Sequence, residues 1–87
     1  MKMEVELRFF ASVREQVATA HERVTVPEHV GTVGELREWL CERGDNWRAA
    51  LAGNRALRMA LDQAVATPTA RLHAGCEVAF FPPVTGG

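Results

Sequence analysis

Along the first ten residues Met3, Val5, Leu7 and Phe9 alternate with Glu4, Glu6, Arg8 and Phe10. That is the two-residue period of a strand with one face buried. Ser12 and Glu15 then stand at capping-box spacing, so a short helical connection is expected over Val13 to Val17. A second strand follows where Val24 and Val26 alternate with Arg23 and Thr25, and Pro27 ends it. Thr32 and Glu35 repeat the capping-box spacing and open a helix with Val33, Leu36 and Leu40 on one face. Gly44 is expected to stop that helix. Asp45 is expected to cap a shorter one reaching Leu51, and Gly53-Asn54 to turn the chain.

The second half returns to strands. Leu57, Met59 and Leu61 alternate with Arg58, Ala60 and Asp62, and a short segment follows around Ala64 to Ala66. Gly75 marks a turn. Glu77 to Phe81 forms the last strand, which Pro82-Pro83 closes because proline has no N–H for a sheet ladder. One amphipathic helix covering one face of a sheet is an α+β pattern.

Composition narrows the function. The chain has 87 residues, enough for one domain, with 47% hydrophobic and 24% charged residues, which argues against disorder. A net charge of −1, with arginines scattered among acids, excludes the basic stripe that nucleic acid or an anionic membrane would need. No apolar run is long enough for a bilayer and no signal-peptide pattern opens the chain, so a cytoplasmic location is expected. Cys41 and Cys76, with His21, His29 and His73, show no metal-ligand spacing and are read as structural or solvent-facing. No metal site is expected.

The chemistry lies in Phe80-Phe81-Pro82-Pro83-Val84-Thr85-Gly86-Gly87. A strand anchors a tail, residues 82–87, that starts stiff at two prolines and ends in two residues without side chains, able to thread a narrow channel. Terminal Gly-Gly by itself usually means nothing more than a frayed end. Its place directly after an apolar strand and Pro-Pro is what gives it weight. A carboxylate on Gly87 is ionised at neutral pH and a poor electrophile. Adenylylation would supply a leaving group that a sulfur nucleophile could displace.

Two segments, Leu7-Arg8-Phe9-Phe10-Ala11-Ser12-Val13-Arg14-Glu15 and Glu77 through Gly87, resemble the small, sulfur-carrier subunits of molybdopterin synthase, and the likeness extends over essentially the whole chain. The resemblance implies a single ubiquitin-like β-grasp domain, a mixed sheet with one main helix packed on one face. It implies that an activating enzyme related to ubiquitin E1 adenylylates Gly87 with ATP and magnesium. A persulfide from a sulfurtransferase or cysteine desulfurase then makes the thiocarboxylate. The tail, Pro82, Pro83, Val84, Thr85, Gly86 and Gly87, enters the large subunit of a heterotetramer and gives sulfur to cyclic pyranopterin monophosphate, building the dithiolene of molybdopterin. On this view the chain binds no cofactor and is a non-catalytic sulfur donor.

Where that family commonly has Gly-Asp-Glu before the last strand, this chain has Gly75-Cys76-Glu77. The expectation is a tolerated turn substitution that loses a local aspartate hydrogen bond. Alternation places Phe10 and Phe81 outward on neighbouring strands, with Val65 beside them, as a partner surface. Arg14 matches a position associated with the activating enzyme. A thiamine-pathway sulfur carrier and a ubiquitin-like protein modifier are the alternatives. The first lacks the Phe-Phe-Pro-Pro-Val run, and the second is disfavoured only as a builder of chains on itself, since Lys2 is the sole lysine.

Overall fold

The alternating apolar residues of the first and last strands let those two strands lie side by side in one sheet. The computed structural model describes residues 2–53 and 56–83. In chain order the elements are β1 (Met3–Phe9), α1 (Ala11–Val17), β2 (His21–Val26), α2 (Val33–Cys41), α3 (Asp45–Leu51), β3 (Arg58–Leu61), β4 (Ala64–Val65) and β5 (Glu77–Phe81). The strands form one sheet in the order β2-β1-β5-β3-β4. β1 and β5 are parallel, with Phe9 opposite Phe80, and the other pairings are antiparallel. This is the mixed α+β sheet expected from the sequence.

The inner face carries Val5, Leu7 and Phe9 from β1, Val24 and Val26 from β2, Met59 from β3, and Val78 and Phe80 from β5. Val33, Leu36 and Leu40 of α2 cover it, with Val13 and Val17 of α1 and Leu51 of α3 closing one end. Each such side chain contributes roughly 1.5–3 kcal/mol when fully buried. Phe9 stacks on Phe80 with ring centres 5.9 Å apart and meets Trp47 edge-on at 5.4 Å. That aromatic cluster sits under the shared end of β1 and β5. Helix α2 approaches the loop at Pro68 so closely that a Cβ on Gly34 would lie 3.1 Å from the Pro68 carbonyl oxygen.

Two arginines tie the helices down. Arg43 donates both arms of its fork to the Glu22 carboxylate on β2, each at 2.9 Å, and lies 4.7 Å from the centre of Trp47. Arg37 donates to the carbonyls of Leu51 and Ala52, each at 2.6 Å, satisfying acceptors that the end of α3 leaves open.

The capping box at Thr32 and Glu35 forms as expected, with both reciprocal hydrogen bonds present. The one at Ser12 and Glu15 does not. The chain turns earlier, at Phe10, whose carbonyl accepts from Val13 and Arg14, and Ala11 takes a left-handed φ of 53°. Ser12 is already helical by then and has no free first turn to cap. Gly44 is likewise not the stop of α2, which ends at Cys41. It is the N-cap of α3, with φ 156°, and Asp45 is the first helical residue. β2 starts at His21, two residues before the alternation of valines becomes visible. Gly53 lies in a turn, while Asn54 is outside the described residues.

Candidate functional site

The outward face of the sheet is built by the same alternation that builds the core. Phe9 and Phe80 point inward as a register pair, so the residue after each is turned to the other side. Phe10 is 46% exposed and Phe81 is half-buried. The backbone of Phe10 is held on both sides: its N–H donates to the Phe80 carbonyl at 3.2 Å, and its carbonyl accepts from Val13 and Arg14. The α1 connection therefore fixes Phe10 at the end of the sheet and leaves its ring partly open to solvent.

One register row runs across the same face. Arg8 stands opposite Ala79, Ala79 opposite Ala60, and Ala60 opposite Val65. Ala60 and Ala79 are only 9% and 8% exposed, a floor of small side chains, while Val65 at its edge is 73% exposed. Phe81 stands opposite Arg58 in the next row. Phe10, Phe81 and Val65 thus share the outer face, with the alanine pair and the exposed Arg8 and Arg58 among them. The alanine pair and these two arginines add to the residues expected on this face. Their signal was present in the same two-residue alternation along β3 and β5, but needed the register to show which residues become neighbours.

Arg14 is exposed on α1, one helical turn from Phe10 and joined to it through the backbone. Beneath α1 an open cavity of about 270 Å³ lies between Ser12, Gln16, Leu57 and Pro82, at the root of the tail. Val84, Thr85, Gly86 and Gly87 lie outside the described residues.

Cys76 is a core residue, fully buried, which is the structural one of the two readings expected for it. Burial raises its thiol pKa, as it does that of the half-buried Cys41. The hydrogen bond expected to be missing there is supplied from elsewhere in the chain. Asp62, after β3, accepts from the Glu77 N–H at 3.0 Å and from His73 at 2.7 Å. The Glu77 N–H, and then His73, hold its carboxyl below the usual aspartate value. His21 is bonded to Glu6 at 3.0 Å. Among the described residues no three of His, Cys, Asp and Glu are grouped to hold a metal ion, and no helix is long and apolar enough to cross a membrane.

This geometry is that of a ubiquitin-like β-grasp domain with exposed apolar side chains on the outer face beside its C-terminal strand. Comparison with known proteins agrees. The family model of the ThiS family matches residues 7–87, and the chain belongs to the ThiS family. It is 40% identical, over 83 residues, to the molybdopterin synthase sulfur carrier subunit of Escherichia coli, covering 95% of this chain and 99% of that one. Among solved structures, SAMP1 from Haloferax volcanii superposes with a TM-score of 0.78 at 26% identity, covering 97% of this chain and 99% of that one. A complex of subunits 1 and 2 of molybdopterin-converting factor from Helicobacter pylori matches at TM-score 0.62 and 27% identity, covering 98% and 100%.

Proposed function

We propose that this chain is the sulfur-carrier subunit of a molybdopterin synthase and works through the carboxylate of Gly87. The observation that carries the reading is the 40% identity to the Escherichia coli carrier over nearly the full length of both chains. The outward Phe10, Phe81 and Val65, next to the strand that leads into the tail, support it.

In this mechanism the ionised carboxylate is first made electrophilic. An E1-like adenylyltransferase, using ATP and magnesium, transfers adenylate to Gly87. A persulfide on a sulfurtransferase or cysteine desulfurase displaces it and leaves a thiocarboxylate. Phe10, Phe81 and Val65, with Arg14 close by, dock the domain on its partners, and Pro82 and Pro83 start the tail in an extended direction. Val84 and Thr85 touch the channel wall, while Gly86 passes where a Cβ would clash. Within the large subunit, in a heterotetramer, the thiocarboxylate gives its sulfur to cyclic pyranopterin monophosphate. The acid–base groups belong to the partners, and the setting is the cytoplasm.

The intact mass of the protein purified from its native host tests this reading. An increase matching replacement of one oxygen by sulfur on Gly87 is the expected result. Only unmodified carboxylate, in cells making molybdenum cofactor, would overturn it. A second reading draws on the likeness to SAMP1, a small archaeal modifier protein. There the same activated Gly87 would be joined to lysines of other proteins, and the mass experiment would return conjugates in place of the thiocarboxylate.

A further inference from the structure

Three carboxylates cross the outer sheet face in one row, and each is engaged within the chain. Glu6 accepts from Arg23 at 2.8 Å and is bonded to His21 at 3.0 Å. Glu77, opposite Glu6, has a carboxylate oxygen 3.6 Å from Arg8 Nε. Asp62, just past β3, accepts from the Glu77 N–H at 3.0 Å and is bonded to His73 at 2.7 Å. The acids and cations of this part of the face therefore answer one another.

Arg58 is the exception. It is exposed, stands opposite Phe81 across the β3–β5 ladder, and has no hydrogen bond or ion pair among the described residues. Side chains opposite each other in such a ladder have Cβ atoms about 4.5–5.5 Å apart, so the charge rides directly beside the half-buried Phe81. Asp62, the next carboxylate along that strand direction, is four residues on, about 13 Å at roughly 3.3 Å per residue. Between them lies the low floor of Ala60 and Ala79, with the exposed Val65 at its edge.

A partner that covers Phe81 and Val65 must also close over Arg58. A guanidinium shut under apolar surface loses its hydration with nothing in return, a penalty that offsets what the apolar contacts gain. A carboxylate on the partner removes the penalty, because the planar fork of an arginine offers two parallel N–H donors that match its two oxygens.

We infer that Arg58 is a specificity-determining residue of this face, selecting a partner surface that sets an aspartate or glutamate carboxylate beside Phe81 and a bulky apolar side chain over the alanine floor. The inference rests on the proposed carrier reading, which makes the large subunit the protein that docks here. Apolar contact then supplies most of the affinity, while the carboxylate on Arg58 fixes the register and rejects surfaces that are merely apolar or basic.

The test pairs the full chain with the large subunit from the same organism and reads affinity by titration calorimetry. Arg58→Gln, which removes the charge, should bind about thirtyfold more weakly, and Arg58→Glu more weakly still, because two carboxylates would then face each other. Arg58→Leu should lose at least about tenfold although it enlarges the apolar surface. Arg48→Gln, the same loss of charge at an exposed position on α3, should bind like the wild type. Exposed Asp and Glu residues of the large subunit are then changed to arginine one at a time, and one such change should restore Arg58→Glu by at least about tenfold. Equal or tighter binding by Arg58→Leu overturns the inference, as does a loss in Arg58→Gln no larger than that in Arg48→Gln, or a scan in which no reversal restores Arg58→Glu. Melting curves of the free variants should match the wild type, and Arg58→Gln and Arg58→Leu keep the test decisive should Arg58→Glu melt early. A wild type that does not bind the large subunit at all would overturn the carrier reading and this inference together, whereas the other adverse outcomes bear on Arg58 alone.

Discussion

Truncating Phe10 to alanine should cost affinity and stability in nearly equal measure, because the fold covers about half of the residue and leaves the rest open to the proposed partner. Burying a whole phenylalanine is worth about 3 kcal/mol. With 46% of Phe10 exposed, about 1.4 kcal/mol remains to be gained on docking and about 1.6 kcal/mol is already contributed to folding. The first figure is about a tenfold loss in affinity. The second lowers the melting temperature by roughly 6–12 °C in a domain of this size. Val65→Ala is the contrasting case. At 73% exposure its side chain contributes little to folding, so about 1 kcal/mol, roughly fivefold in affinity, should be lost with the melt almost unmoved. Titration calorimetry against the large subunit and a thermal melt of the free chain read the two quantities separately. If both variants bound as tightly as the wild type, the outward face would not be the docking surface. If Phe10→Ala melted like the wild type, the burial argument itself would be wrong.

Deleting Gly87, or adding one residue after it, should abolish thiocarboxylate formation with no change in the melt; a thiocarboxylate on the extended chain without prior trimming would refute the terminal-carboxylate mechanism. Gly86→Val, prepared chemically as the thiocarboxylate, should transfer sulfur to the precursor pterin far more slowly than the wild type in a single turnover, because a β-branched side chain widens and stiffens the tail; a normal rate would show that the tail is not closely threaded. The Arg43 fork, as the main cause, holds the Glu22 carboxyl below its ordinary value of 4.5. That contribution is fully present above pH 4.5 and is lost as pH falls through the lower folded value. With both side chains about a third exposed, it amounts to under ~1 kcal/mol. The melting difference between Glu22→Gln and the wild type should therefore shrink as the pH drops below 4.5, and a constant difference from neutral to strongly acid pH would exclude the ion pair as its source.

The strands and the main helix were legible because each has one face in the core and a clean period. The outward direction of Phe10, Phe81 and Val65 followed from the same alternation. What escaped depended on backbone geometry or on partners distant in sequence. Ser12 and Glu15 have the spacing of a capping box, but the left-handed turn at Ala11 starts the helix before them. Gly44 reads equally well as the end of one helix or the beginning of the next, and the tight junction of α2 and α3 decides for the second. The sequence left Cys76 open between a structural and a solvent-facing place, and its position just after the turn at Gly75 puts the side chain on the buried side. Asp62 takes up the Glu77 N–H across fifteen residues of chain, a distance no local pattern can bridge.

The tail is an extension of β5, and β5 has a hydrogen-bonded neighbour on each side, β1 and β3. A pull on the tail, such as withdrawal from a tight pocket, is directed along that strand. It loads the ladders on both flanks in shear, so their bonds share the force and must give way together. A strand at the edge, pulled crosswise, would instead unzip bond by bond. Placing the last strand at the centre of the sheet makes the domain a firm handle against a pull along β5.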